Sequence, residues 1–236
     1  MRIAVCGTYS SGKTTTSMAL SYLTGIPMTH ALTMREILPK LFPEKKLESC
    51  TPEEVIELIF ERLIHRVQNE IKCSGSFISD GASIQEWAYC KPRFIYGMNP
   101  AETQIQDQKI LKSLETFGKT IDAYGKMAKQ YAKKQYDVFV HLPVEFPLVL
   151  DGHRPVSESF RNCCDQLLRR AYSELGIPCI EVQGKLAQRL IDITQKRLGC
   201  THILLIPSKF VVNRSEFLKN NKQINRILAD NTRKLG

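Results

Sequence analysis

The sequence predicts a three-layer α/β fold, with a central, mostly parallel sheet covered by helices on both faces. Three observations carry this. Short apolar runs alternate along the chain with longer stretches of helical spacing, the pattern of successive βαβ units. The first apolar run stops at a glycine and changes at once to helical spacing. The 236 residues are 43% apolar and 24% charged, which excludes wholesale disorder and fibrous repeats and suffices for a core without disulfide staples.

The first strand is predicted at Arg2–Cys6, and a helix at Lys13–Leu23. Thr51-Pro52-Glu53-Glu54 is a helix start, with a hydroxyl cap, proline at the first helical position and a carboxylate at the third. Val55, Ile59, Leu63, Val67 and Ile71 follow every four residues and predict one apolar stripe on that helix. Ser76–Ser79 is short and strand-like. Residues 100–135 are polar and helical, with interruptions expected at Gly118 and Gly125. Asp137–Leu142, Pro178–Val182 and His202–Ile206 are three further strand candidates. Residues 207–236 differ in composition: seven Lys or Arg face two acids, a surplus that is more than half of the net charge of +9. The chain is therefore divided into a main domain, 1–206, and a basic helical extension, 207–236. The extension reads as a solvated helix docked on the domain, or as a tail that contacts phosphates or a partner.

The net charge favours anionic partners, namely nucleotides, nucleic acid or an acidic membrane surface. No run of about 18 apolar residues exists, so no membrane span is predicted. The opening apolar run is too short for a secretory signal, which points to a cytoplasmic protein with free thiols. The eight cysteines form no CxxC pair and the five histidines supply no ligand spacing beside them, so zinc is not expected.

Gly7-Thr8-Tyr9-Ser10-Ser11-Gly12-Lys13-Thr14 matches GxxxxGK[ST] in full, between a strand and a helix. Gly7 permits a sharp exit from the strand, and Gly12 lets the backbone close around an anion without a Cβ. Successive N–H groups then form a nest at a helix N-terminus, where the dipole also favours negative charge. Lys13 is expected to reach the β- and γ-phosphates of a nucleotide, Thr14 to ligate Mg²⁺ and Thr15 to meet the α-phosphate. Asp80 ends the run FISD at a strand tip, where it either supplies a second metal group and takes a proton from an acceptor, or caps the helix that starts near Ser83. Glu86 reads as a surface residue or a substrate contact. Asp151-Gly152-His153-Arg154-Pro155 and the following helix with Arg161, Arg169 and Arg170 supply arginines for a lid over the transferring phosphate. The ordinary alternative is ion pairing with Asp151, Glu158 or Asp165.

GTYSSGKTT, FISDGASIQEWAYC and LDGHRPVSESFR together resemble the AAA-type ATPase and kinase-like P-loop group, which includes the nicotinamide riboside kinase domain of NadR-type proteins. More loosely, the chain is similar to nucleoside and nucleotide kinases. The resemblance spans about residues 1–195. It implies a P-loop NTPase fold, ATP and Mg²⁺ as cofactors, and a lid carried by Asp151, Gly152 and Arg154. In such families an arginine often follows the strand-end aspartate; here Gly81 stands in its place. An acceptor pocket is expected between helices 52–73 and 100–135 and the Asp80 tip, near Trp87, Tyr89, Arg93, Phe94 and Tyr96. Core packing accounts equally well for Trp87 and Phe94. The expected activity is Mg-dependent transfer of the γ-phosphoryl group of ATP to a small nucleoside-like or nucleotide-like acceptor. Lys13, Asp80, Arg154 and Arg161 would be the catalytic residues. The competing expectations are a nucleotide-switched binding module and a kinase that acts on nucleic acid through the basic extension. No NKxD guanine signal is present, so ATP is preferred to GTP by default.

Overall fold

The computed structural model describes residues 1–73, 75–98, 100, 108–147 and 157–197. Five parallel strands form its sheet: β1 (Arg2–Gly7), β2 (Met28–His30), β3 (Phe77–Asp80), β4 (Val138–Leu142) and β5 (Cys179–Glu181). Their order is β2-β3-β1-β4-β5. The helices are α1 (Lys13–Thr24), α2 (Met34–Leu41), α3 (Pro52–Lys72), α4 (Ile84–Cys90), α5 (Arg93–Tyr96), α6 (Gln108–Gln135), α7 (Glu158–Leu175) and α8 (Leu186–Ile191), the last continued by a π-turn to Arg197.

The strand order explains the layers. Only the β1-to-β2 connection runs toward the β2 edge, and the other three run the opposite way. Right-handed crossovers then place α1 on one face and α2 to α7 on the other. The core divides accordingly. Ile3 and Val5 of β1 point into a cluster with Leu20, Ile78, Val140, Ile180 and Leu190. The alternate residues Ala4 and Cys6 point into a larger cluster with Phe77, Phe139, Leu58, Ile59, Trp87, Ile121 and Leu168. Chain direction therefore reverses at β1, and the tips of strands at such a reversal form a ligand crevice.

The structure corrects four readings of the sequence. Strand β2 is unforeseen: its three residues, MTH, have no alternation, and pairing with β3 alone gives them strand form. Helix α6 runs unbroken through Gly118 and Gly125. These glycines make room for aromatic rings, since a Cβ at 125 would meet Trp87 Cδ1 at 2.3 Å and one at 118 would meet Phe94 Cδ2 at 3.3 Å. The four-residue stripe on α3 is not one buried face. Each step of four advances about 40° past a full turn, so Val55, Ile59 and Leu63 are buried but Ile71 is 72% exposed. Glu86 is no surface residue; it is 2% exposed. The cap of α3 is as read: Thr51 Oγ1 accepts from the Glu54 N–H at 3.3 Å, and the Glu54 carboxylate accepts from the Thr51 N–H at 2.8 Å. The strand candidate 202–206, the extension 207–236 and the segment with Arg154 lie outside the described residues. Among the described residues, no helix is long and apolar enough to cross a membrane.

Candidate functional site

Residues 7–14 leave β1 at the crevice and lead directly into α1. Gly7 (φ 146°), Ser10 (φ 56°) and Gly12 (φ 84°) all take positive φ, so the chain curls rather than extends. Gly7 is required on space as well: a Cβ there would lie 2.4 Å from the Leu142 carbonyl oxygen and 2.7 Å from Ser11 Oγ. The Ser11 hydroxyl donates to the Thr8 carbonyl at 2.9 Å and braces the turn from within. Gly12 is the N-cap of α1 and offers no side chain to its first turn. The cap thus supplies no side-chain acceptor to the N–H groups of that turn, and a helix start of this kind suits an anion.

The charged and metal-binding candidates meet at this loop. Lys13 Nζ donates to the Thr8 carbonyl at 2.6 Å and lies 3.5 Å from the Tyr89 hydroxyl. Thr14 Oγ1 donates to Asp80 Oδ2 at 2.7 Å. Two residues 66 positions apart are thereby joined because β3 lies beside β1, with Val5 in register with Asp80. Thr14 and Thr15 are exposed at the crevice. A hydroxyl and a carboxylate are hard oxygen donors, so the pair fits Mg²⁺ in chemistry.

Several residues that the motif did not reveal hold this arrangement. Gln85 Nε2 donates to the Gly7 carbonyl and to the Tyr89 hydroxyl, each at 2.6 Å. The Tyr9 and Tyr89 rings stack with centroids 4.5 Å apart. Burial pushes the Tyr9 phenol up to about 12, with the nearby Arg93 opposing. From the other side, Arg189 of α8 donates from Nη1 to the Ser11 carbonyl at 2.7 Å and from Nε to the Gly184 carbonyl at 2.8 Å. Apart from Gln85–Tyr89 and Arg189–Gly184, these contacts could not be found from local spacing, because they join segments far apart in sequence.

Beside Asp80 lies a buried charged cluster. Arg66, 1% exposed, donates from Nη1 to Ser79 Oγ at 2.9 Å and to the Asp80 carbonyl at 3.2 Å. Its Nη2 would lie 3.2 Å from a Cβ at Gly81. A guanidinium thus reaches the strand tip from α3, although none follows Asp80 in sequence. Burial works against its charge, but Glu86 first, and then Tyr136, Glu70 and Asp80, outweigh burial and raise its pKa. Glu86 pairs with Arg62, which also donates to the Leu32 carbonyl. Glu86 Oε2 and Arg66 Nη2 are buried without a hydrogen-bond partner among the described residues.

Arg161 lies in the first turn of α7, 0% exposed, with Nη1 donating to the Phe146 carbonyl at 2.7 Å and 3.3 Å from Glu158. Its Nε and Nη2 have no hydrogen-bond partner among the described residues. The adjacent Phe160 packs with Tyr9, Tyr89 and Tyr96, so the start of α7 touches the aromatic side of the phosphate loop. Arg169 is engaged elsewhere, with Asp165 and Glu181. Trp87 is a core residue, with Lys129 Nζ 4.3 Å from its ring centroid.

A parallel sheet with this glycine-and-lysine loop at the reversal point defines a P-loop nucleotide-binding fold. Residues 2–189 match the family described as AAA domain. The chain belongs to that family. No curated protein matches the sequence. Among solved structures, the deoxyadenosine kinase from M. mycoides with bound dATP is similar at a TM-score of 0.59 and 15% identity, over 82% of this chain and 97% of that one. The thymidylate kinase from Candida albicans is similar at 0.55 and 15%, over 81% and 88%. NadR protein in complex with NAD and AMP-PNP is similar at 0.51 and 16%, over 80% of this chain and 46% of that one. These likenesses show the fold: it is the fold of P-loop kinases.

Proposed function

We propose that this protein is an ATP- and Mg²⁺-dependent phosphotransferase acting on a small nucleoside-like or nucleotide-like acceptor. The observation that supports the reading best is the Thr14–Asp80 hydrogen bond of 2.7 Å beside the phosphate loop. It puts a magnesium-type hydroxyl and an acid suited to positioning an acceptor hydroxyl at one point of the crevice.

Lys13 would exchange its bond to the Thr8 carbonyl for the β- and γ-phosphates, and the loop N–H groups would hold the remaining phosphate oxygens. Thr14 and Asp80 would hold Mg²⁺, which when bound neutralises charge on the phosphates. Asp80 would also orient or deprotonate the acceptor. Arg161 and, from the segment outside the described residues, Arg154 would close over the transferring group, where developing charge is best stabilised by preorganised donors. Among the solved structures of similar fold, the deoxyadenosine kinase holds dATP and the NadR protein holds NAD and AMP-PNP, in keeping with ATP as donor. Cytoplasmic location belongs to the same proposal, as does the division at 206, with the basic extension as a separate contact surface.

An ATP-consumption assay across a panel of nucleosides, nucleotides and related metabolites tests the reading. Acceptor-dependent ADP release, lost in Lys13→Ala, is expected. Nucleotide-dependent binding of a partner with no acceptor turnover would favour a switch module instead.

A further inference from the structure

A buried guanidinium from α8 stands against the second half of the phosphate loop. Arg189 is 3% exposed, and its neighbour Leu190 packs into the core beside Leu20. Each nitrogen of the guanidinium is engaged. Nη1 donates to the Ser11 carbonyl at 2.7 Å, Nε to the Gly184 carbonyl at 2.8 Å and Nη2 to Glu145 Oε2 at 3.2 Å. Glu145 is fixed in turn, because its carboxylate accepts from the Gly184 N–H at 2.8 and 2.9 Å. The Phe146 ring centroid lies 5.2 Å from the guanidinium carbon. By contrast, Arg66 and Arg161 each leave Nε and Nη2 without a hydrogen-bond partner among the described residues. A planar fork held at every nitrogen has one orientation, so the group it touches is held with it.

That group is the peptide between Ser11 and Gly12. Nη1 is so close that a Cβ at Gly12 would lie 3.0 Å from it. The peptide is trans and planar, so its C=O and N–H point in opposite directions. With the Ser11 carbonyl drawn to Arg189, the Gly12 N–H faces away from Arg189. Glycine leaves that choice open, since Gly12, at φ 84°, can take either sign of φ at little cost. A peptide turned over would offer an oxygen where an anion needs an N–H, and a nest depends on successive N–H groups facing one way. The loop entry is pinned by the same means, the Gly7 carbonyl accepting from Gln85 and Tyr89.

We propose that Arg189 is a positioning residue of the phosphate loop: by holding the Ser11 carbonyl it aims the Gly12 N–H at the triphosphate. This role rests on the reading that the loop binds a nucleotide. Arg189 acts through the backbone and touches no substrate.

Calorimetry with Mg-ATP, together with the ¹H–¹⁵N resonance of Gly12, tests this on the full chain. In the wild type without nucleotide, Gly12 should give one sharp resonance, which moves downfield as Mg-ATP is added. Arg189→Gln should broaden or double that resonance and raise the Mg-ATP dissociation constant about tenfold or more, the worth of one charge-assisted hydrogen bond. Arg189→Lys keeps the charge without the fork, and should disturb the resonance likewise while recovering binding only in part. A role in stability alone would leave both readouts at wild-type values in protein that is still folded. Wild-type binding with both variants equally tight would overturn the inference alone. So would weaker binding by Arg189→Gln with an unaltered Gly12 resonance, which would assign the effect to charge. A doubled Gly12 resonance in the nucleotide-free wild type would overturn it without any variant. No wild-type heat at all would remove the nucleotide site itself, and the inference with it.

Discussion

The hydroxyl of Tyr89 donates to the carbonyl oxygen of Gly7 at 3.0 Å, tying helix α4 to the first residue of the phosphate loop. The same carbonyl accepts from Gln85, so two side chains one helical turn apart fix the point where the loop leaves β1. Tyr89→Phe removes its bond to Gly7 and the bond it accepts from Gln85, and keeps the Tyr9 stack. Gln85→Leu likewise removes two bonds, to Gly7 and to Tyr89. Each variant should lower stability by about 1–3 kcal/mol. Urea melts of the two variants check this; equal midpoints with the wild type would show that the loop needs neither tie.

The two glycines inside α6 should respond oppositely to alanine. Helix propensity favours alanine at either position by about 1 kcal/mol. At Gly125 the new methyl would sit 2.3 Å from the Trp87 ring, which is buried, and overpacking of that kind costs about 1–3 kcal/mol. Gly125→Ala should therefore destabilise. At Gly118 the neighbour is Phe94 at 3.3 Å, a ring 44% exposed and free to give way, so Gly118→Ala should be neutral or stabilising by up to about 1 kcal/mol. Thermal melts of the two single variants decide; the reverse order would contradict the packing described.

Acid sensitivity should involve Asp165. Burial pushes its carboxyl up, but His141, whose Nε2 lies 3.2 Å away, and Arg169 at 2.8 Å outweigh burial and hold it below the usual carboxylate range. A depressed carboxyl adds stability above its unfolded pKa of about 3.9, and that stability is lost as pH falls through the folded value. Asp165→Asn should thus be less stable than wild type at neutral pH, with the gap closing below about pH 4. Parallel stability curves through that range would remove Asp165 from the acid limb.

Asp80→Asn separates binding from turnover. It keeps the size of the side chain near Thr14 but removes the charge that would serve metal and acceptor. Acceptor-dependent turnover should fall by about a hundredfold or more, as when one preorganised group is lost. Stopped assays with saturating acceptor would show it, and full activity would exclude Asp80 from the chemistry.

Much of this was legible in the sequence for a physical reason. The phosphate loop is local: eight consecutive residues specify its turn, its cradle and its cation, and the cap of α3 is likewise complete within four. The strand tip at Asp80 followed from an apolar run and its end. Residues whose role depends on tertiary neighbours were not legible. Arg189 and Gln85 reach the loop across 178 and 78 positions, and Arg66 supplies from α3 the guanidinium absent after Asp80. Strand β2 has no pattern of its own and exists through β3. The stripe on α3 misled because a spacing of four, repeated, winds around the helix and leaves Ile71 exposed.

Isothermal calorimetry with Mg-ATP, paired with thermal melts, tests most directly whether the loop at residues 7–14 grips a triphosphate. A saturable heat is expected, together with a rise in melting temperature that reflects about 2.7 kcal/mol of added stability at a hundredfold excess over the dissociation constant; both should vanish in Lys13→Ala. No heat and no change in melting temperature with millimolar ATP or GTP and Mg²⁺ would contradict it.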